Sequence, residues 1–170
     1  MFSLAFNKSN EVPACHSFEK TSALPSTRSK QYECAYKNDL LDGEFKQYFD
    51  NGQLSTQLTF KADKKEGKAI YYWRNGKINS EGNTKDGKET GDWKYYYSDG
   101  TLKYDFKLSD KGDYTGPYKW YYSNGKIKEE ANYNASGKLE GTTKEYNKDG
   151  TLEAVFEYKE DGMQSFKYYD

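Results

Sequence analysis

From residue 43 onward the chain alternates between apolar and polar positions. In "GDWKYYYSDGTLKYDFKL", Gly91 to Leu108, the side chains of Trp93, Tyr95 and Tyr97 stand at every second place before an Asp-Gly pair, and Leu102, Tyr104 and Phe106 do so after it. A period of two is the mark of a strand with one buried face. The same spacing returns along the chain. With Gly91 as position 0, equivalent glycines stand at Gly43, Gly67, Gly116 and Gly141, and a second glycine follows nine residues later at Gly52, Gly76, Gly100, Gly125 and Gly150. The repeat is 24 or 25 residues long, and a fixed period in this range marks an array of supersecondary units. The fold class expected is all-β, an extended antiparallel β-meander of tandem hairpins.

Turn chemistry sets the register. Asn51-Gly52, Asn75-Gly76, Asp99-Gly100, Asn124-Gly125 and Asp149-Gly150 each separate two alternating runs, which predicts two-residue type I′ hairpins. Gly87, Gly112 and Gly137 predict a second, longer turn between repeats. A two-residue turn at positions 8 and 9 pairs position 6 with 11, 4 with 13, 2 with 15 and 0 with 17 on one face. That face holds Trp93, Tyr95, Tyr97, Leu102, Tyr104 and Phe106, while the other sets Lys94 opposite Asp105 and Lys119 opposite Glu130. Phe60, Leu108, Tyr133 and Tyr158 fall opposite the strand glycines Gly43, Gly91, Gly116 and Gly141, where rings and aliphatic groups shield bare backbone.

Residues 1–29 lack the repeat and carry two of the 3 prolines among many Ser and Thr, so they are expected to form a loosely ordered arm. Residues 30–170 form the array: "QYECAYK", Gln31 to Lys37, reads as a lone second strand that begins it, and "QSFKYYD" as a terminal half copy.

Composition sharpens this picture. Only 34% of the residues are hydrophobic, yet 18% are aromatic, with 18 Tyr, 9 Phe and 3 Trp, so ring burial substitutes for aliphatic burial and disorder is excluded. The formal charge of −1 supplies no field toward nucleic acid or anionic lipid. "MFSLAFNKSNEVPAC" shows neither a complete signal peptide nor a membrane span, and "VPAC" lacks the apolar run a lipoprotein site needs. Export by a signal removed from the sequence stays open, so the compartment is not assigned.

Candidate chemistry is sparse. The single His16 has no repeat counterpart and reads as a surface residue; Cys15 and Cys34 form either one bridge or two thiols, with no base constellation beside them. No phosphate-binding glycine pattern precedes a helix. We expect no enzyme, no metal and no cofactor. The distinctive feature is position 5, which is Tyr in every copy: Tyr48, Tyr72, Tyr96, Tyr121 and Tyr146. Lys46, Lys94, Lys119 and Lys144 recur beside it at position 3. On the expected register this Tyr-Lys row lies on the polar face, where packing asks for no ring. It is either a ladder between neighbouring hairpins or a partner-binding surface of rigid, amphipathic side chains.

The pattern G-x-[aromatic]-K-x-Y-[aromatic]-x-[ND]-G-x-[LI], recurring over about residues 31–170, resembles the bacterial MORN-variant repeat of the YwqK-type antitoxin family. The fifth copy departs from it, with Thr143 and Asn147 where aromatics are expected, and reads as a cap. The resemblance implies a non-catalytic hairpin array that binds a protein partner, with toxin neutralisation as an antitoxin or immunity protein in some members, which would place it in the cytoplasm. Two other partner classes stay open. "WKYYYSDG" also resembles the aromatic repeats of choline-binding cell-wall proteins, which cage sugar or quaternary ammonium. The MORN name has been associated with phospholipid, which the near-neutral charge disfavours.

Overall fold

The computed structural model describes residues 32–160 and 162–169; the expected arm over residues 1–29 lies outside them. Twelve strands follow in order: β1 (Tyr32–Lys37), β2 (Leu40–Tyr48), β3 (Leu54–Lys61), β4 (Lys64–Tyr72), β5 (Ile78–Lys85), β6 (Lys88–Tyr96), β7 (Leu102–Leu108), β8 (Tyr114–Tyr121), β9 (Ile127–Tyr133), β10 (Gly141–Tyr146), β11 (Leu152–Lys159) and β12 (Gly162–Tyr168). They form one sheet in chain order, each strand antiparallel to the next, with no helix among the described residues. This is the all-β meander that the alternation dictates.

The register away from the turns is the expected one. Gly91 faces Leu108, Trp93 faces Phe106, Lys94 faces Asp105 and Tyr95 faces Tyr104. Gly43 likewise faces Phe60, Gly116 faces Tyr133 and Gly141 faces Tyr158, while Gly67 faces Thr84.

At the turns the structure corrects the sequence reading. Tyr96, not Tyr97, stands opposite Leu102, and the same slip pairs Tyr48 with Leu54, Tyr72 with Ile78, Tyr121 with Ile127 and Tyr146 with Leu152. The cause is the turn type. The Gly100 N–H donates to the Tyr97 carbonyl at 2.9 Å, the Tyr97 N–H to the Thr101 carbonyl at 2.8 Å, and Gly100 alone is left-handed, with φ 91°. This is a longer loop closed by a glycine bulge, not a type I′ turn. Asp99 is present for its side chain: Oδ1 accepts the Thr101 N–H at 2.8 Å, and Asn51, Asn75, Asn124 and Asp149 accept the N–H two residues on in the same way. The turns with two left-handed central residues lie between hairpins instead, at Asn38-Asp39, Ala62-Asp63 and Asp86-Gly87. The longer link expected at Gly87 is therefore the tight one, while Gly112 and Gly137 close longer loops onto Ser109 and Asn134.

The core lies on one face of the sheet, in the first three hairpins. Phe45, Leu58, Ala69, Trp93, Phe106 and Leu108 are buried, with Tyr32, Cys34, Phe60, Tyr71, Tyr95, Tyr104 and Tyr118 packed against them. Trp93 is 0% exposed. Its indole lies across Gly82, where an added Cβ would meet ring atom Cδ2 at 2.2 Å, so the ring occupies the space left by an absent side chain. Toward the C-terminus the rings give way to buried Thr143 and Ala154.

Candidate functional site

The slip at the turns changes the surroundings of the Tyr-Lys row. Directly opposite residues of an antiparallel pair share a face, so each row tyrosine meets a Leu or Ile across its own hairpin. The ring is there to be packed against. Its hydroxyl then reaches back one repeat: Tyr48 donates to Glu33 Oε1 at 2.8 Å, Tyr72 to Gln57 Oε1 at 3.4 Å, Tyr96 to Glu81 Oε1 at 2.9 Å and Tyr146 to Glu130 Oε2 at 3.1 Å. Tyr121 falls beside the shorter Asp105, and its hydroxyl has no hydrogen bond to a described residue. Burial first, and then the bond to Glu81, push the Tyr96 phenol up to about 12. Among the lysines, Lys46 pairs with Glu44 at 2.7 Å, Lys94 with Asp105 at 3.8 Å and Lys119 with Glu130 at 3.1 Å. Lys144 is exposed and has no ion pair among the described residues.

A second row, which the sequence reading missed, runs along the turns. Trp73 Nε1 donates to the Tyr96 carbonyl at 3.2 Å, Tyr97 Oη to the Tyr121 carbonyl at 2.8 Å and Tyr122 Oη to the Tyr146 carbonyl at 2.8 Å. Position 6 of one repeat thus caps position 5 of the next. Asn51, Asn75 and Asn124 donate to the carbonyls of Arg74, Ser98 and Lys148, and Lys77 and Lys126 reach those of Asp99 and Asp149. The sequence signal was the recurrence of a ring at position 6, which the assumed type I′ register assigned to the core.

The opposite face is a carpet of rings. Phe106 lies 5.0 Å from Tyr114 and 5.7 Å from Tyr95 between centroids, Tyr104 lies 5.6 Å from Trp120, and Tyr114 lies 5.1 Å from Tyr133. Tyr71, Tyr95, Tyr104, Tyr114, Tyr118 and Tyr133 have their rings packed here, yet none of their hydroxyls hydrogen-bonds to a described residue. Among the described residues, the buried side-chain polar atom without a partner is Trp120 Nε1. Burial pushes Tyr71 up to about 12 and raises Tyr95 and Tyr118 further.

Acidic groups are interleaved with the rings. Glu129 stands opposite both Trp120 and Glu145, and burial raises the carboxyls of Glu129 and Glu89 above their ordinary value. The ammonium of Lys128 sits 3.4 Å from the Trp120 ring centroid, and that of Lys103 lies over Tyr97 and Tyr104 at 5.3 and 5.2 Å. Cys34, at the other end of this face, is disulfide-bonded; Cys15 lies outside the described residues.

One sheet of hairpins, each stitched to the next by hydroxyl, amide and ring contacts, defines a β-hairpin repeat scaffold. Five tandem stretches, residues 41–62, 65–86, 89–106, 114–135 and 139–160, match the MORN repeat variant. Each match covers one hairpin, from β2–β3 through β10–β11, and together they span more than half of the chain. The chain belongs to the MORN repeat variant family. The finer likeness to YwqK-type antitoxins is no part of that match, and no curated protein matches the chain.

Proposed function

We propose that the chain is a non-catalytic scaffold that binds a protein partner across its aromatic face. The observation that carries this reading is an asymmetry between tyrosines. On the polar face and along the turns, six hydroxyls are committed to neighbouring repeats. On the aromatic face, Tyr71, Tyr95, Tyr104, Tyr114, Tyr118 and Tyr133 offer half-buried rings with uncommitted hydroxyls. Rigid rings with free donors make contact surfaces of low entropy cost. A protein is favoured over choline because Lys128 already occupies the ring pair of Trp120 and Tyr122, at 3.4 and 5.8 Å. It is favoured over phospholipid because a net charge of −1 gives no attraction to an anionic surface. Toxin neutralisation, as an antitoxin or immunity protein, is the specific role that the YwqK-type resemblance favours.

The Tyr-Lys row offers a second contact surface, and the observation that favours it is the uncommitted Tyr121 hydroxyl with Lys144 exposed one repeat on. The experiment is affinity capture with the 170-residue chain, followed by calorimetric titration of the purified captured protein, beside sedimentation with anionic vesicles and with purified cell wall. Saturable 1:1 heat with a protein, and no sedimentation, is the expected result. Sedimentation without a saturable protein partner overturns the reading. Weakened binding by Tyr96→Ala with Tyr121→Ala, in a folded variant, moves the contact to the row.

A further inference from the structure

On the aromatic face the repeat gives up its rings at one place. Counted from each strand glycine, position 4 of successive hairpins holds Tyr71, Tyr95 and Trp120 and then Glu145; position 13 holds Tyr104 and then Glu129. Position 12, where Lys103 and Lys128 stand, changes to Glu153. The register brings the new acids together: Trp120 stands opposite Glu129, and Glu129 opposite Glu145. Directly opposed side chains have Cβ atoms about 4.5–5.5 Å apart, and like charges set there repel. Packing asks for a carboxyl at neither place.

Both carboxyls are half-buried, yet neither has a hydrogen bond or an ion pair to a described residue. Burial and then the Glu145 charge raise the Glu129 carboxyl against the pull of Lys128. Glu130, the next residue and on the other face, shows the contrast: it takes Lys119 at 3.1 Å and the Tyr146 hydroxyl at 3.1 Å. Half-buried acids without partners cost stability, so this pair is a local expense that the hairpin itself does not need. The neighbouring rings already hold cations, Lys128 on Trp120 at 3.4 Å and Lys103 on Tyr104 at 5.2 Å. No group of three acidic, histidine or cysteine side chains among the described residues is placed to hold a metal ion; two carboxyls beside rings suit an organic cation.

Resting on the reading that the aromatic face is the partner surface, we propose that the protein partner sets an arginine side chain between Glu129 and Glu145. A guanidinium has five donors in one plane, enough to bridge two carboxylates across neighbouring strands. Its flat face and apolar stem suit a surface of rings. Binding then turns the repulsion between the acids into two attractions, so the energy the free chain gives up at this place is returned only with the partner in place. Lysine, a compact point charge, satisfies such a pair less well.

The probe is the peptide acetyl-Arg-Gly-Arg amide, titrated into the 170-residue chain and followed by backbone amide and indole NMR signals, beside acetyl-Lys-Gly-Lys amide and calcium chloride. Saturable shifts at Trp120, Glu129 and Glu145 are expected with the arginine peptide. They should be lost in Glu129→Gln/Glu145→Gln and kept in Glu44→Gln/Glu157→Gln, which removes the same charge from exposed places on the polar face. Because the first variant relieves a repulsion, its melting temperature should hold or rise while binding falls; damage to the fold would lower both. In calorimetric titration of the captured partner, that variant alone should lose about tenfold or more in affinity, about 1.4 kcal/mol or more. Equal peptide binding by all three chains, equal shifts with the lysine peptide or calcium, or no binding to the wild type overturns the proposal. Unchanged partner affinity in Glu129→Gln/Glu145→Gln overturns it too and leaves the protein reading standing. Sedimentation with vesicles and no captured protein overturns the protein reading, and this inference with it, whatever the peptide does.

Discussion

Replacing Trp93 by Ala removes the largest fully buried side chain among the described residues and tests the face assignment where it is sharpest. An aromatic core residue cut to Ala costs about 3–5 kcal/mol, the missing ring and the void together. The indole N–H also donates to the Asn83 carbonyl at 3.2 Å; because Asn83 is exposed and rehydrates, that bond adds at most about 1 kcal/mol. The sum, about 4 kcal/mol, is a large share of the roughly 5–15 kcal/mol that holds a domain together. Gly82→Ala attacks the same contact from below, since its methyl must enter the ring, and should cost about 1–3 kcal/mol by overpacking. In the double variant the new methyl occupies part of the void. Its cost should fall below the sum of the single changes by about 1 kcal/mol. Lys94→Ala, one residue on and facing solvent, should stay within about 0.5 kcal/mol. Urea unfolding followed by circular dichroism measures all four. Equal losses for Trp93→Ala and Lys94→Ala, or strict additivity of Trp93→Ala with Gly82→Ala, would refute the packing described.

Two further outcomes follow from the hydrogen bonds and charges. Tyr97→Phe and Tyr122→Phe each leave a carbonyl of the next repeat without its hydroxyl donor and should cost about 1 kcal/mol in the same urea assay, whereas Tyr104→Phe should change nothing. The Glu129 carboxyl is raised above 4.5 by burial first and Glu145 second, so the folded state holds that proton more tightly than the unfolded one. This contribution is present in full below about pH 4.5 and is lost as pH rises through the folded value. Glu129→Gln should therefore stabilise the fold at pH 7 by less than about 1 kcal/mol, the group being half exposed, and the gain should vanish near pH 4 in melting curves.

The hairpins, their order and the pairs from Gly91–Leu108 to Tyr95–Tyr104 were legible because a period of two leaves one choice of buried face. The turn was not. Asn-Gly and Asp-Gly serve a type I′ turn through backbone φ, but they serve a glycine-bulge loop equally well through the Asx side chain, and the sequence is the same. That single ambiguity moved Leu102 from Tyr97 to Tyr96 and hid the reason for a ring at position 5. The partners of the row tyrosines were hidden by the seams: Glu81 lies 15 residues before Tyr96, and the seam between their strands contains a register shift of its own. The positive φ of Ala62 has no sequence signature, since alanine disfavours that region. Two cysteines left their bonding undetermined, and the bonded state of Cys34 came from the structure.

The most direct measurement of the central claim removes hydroxyls and nothing else. Calorimetric titration of the purified partner compares the wild-type chain with Tyr104→Phe/Tyr118→Phe on the aromatic face and Tyr96→Phe/Tyr146→Phe on the polar face. Two donors lost from a contact surface correspond to about 1–3 kcal/mol, on the order of tenfold or more in affinity. The account predicts that loss for Tyr104→Phe/Tyr118→Phe, with its melting temperature unchanged, and wild-type affinity with a lowered melting temperature for Tyr96→Phe/Tyr146→Phe. Full affinity in the first variant and weakened binding in the second would contradict it.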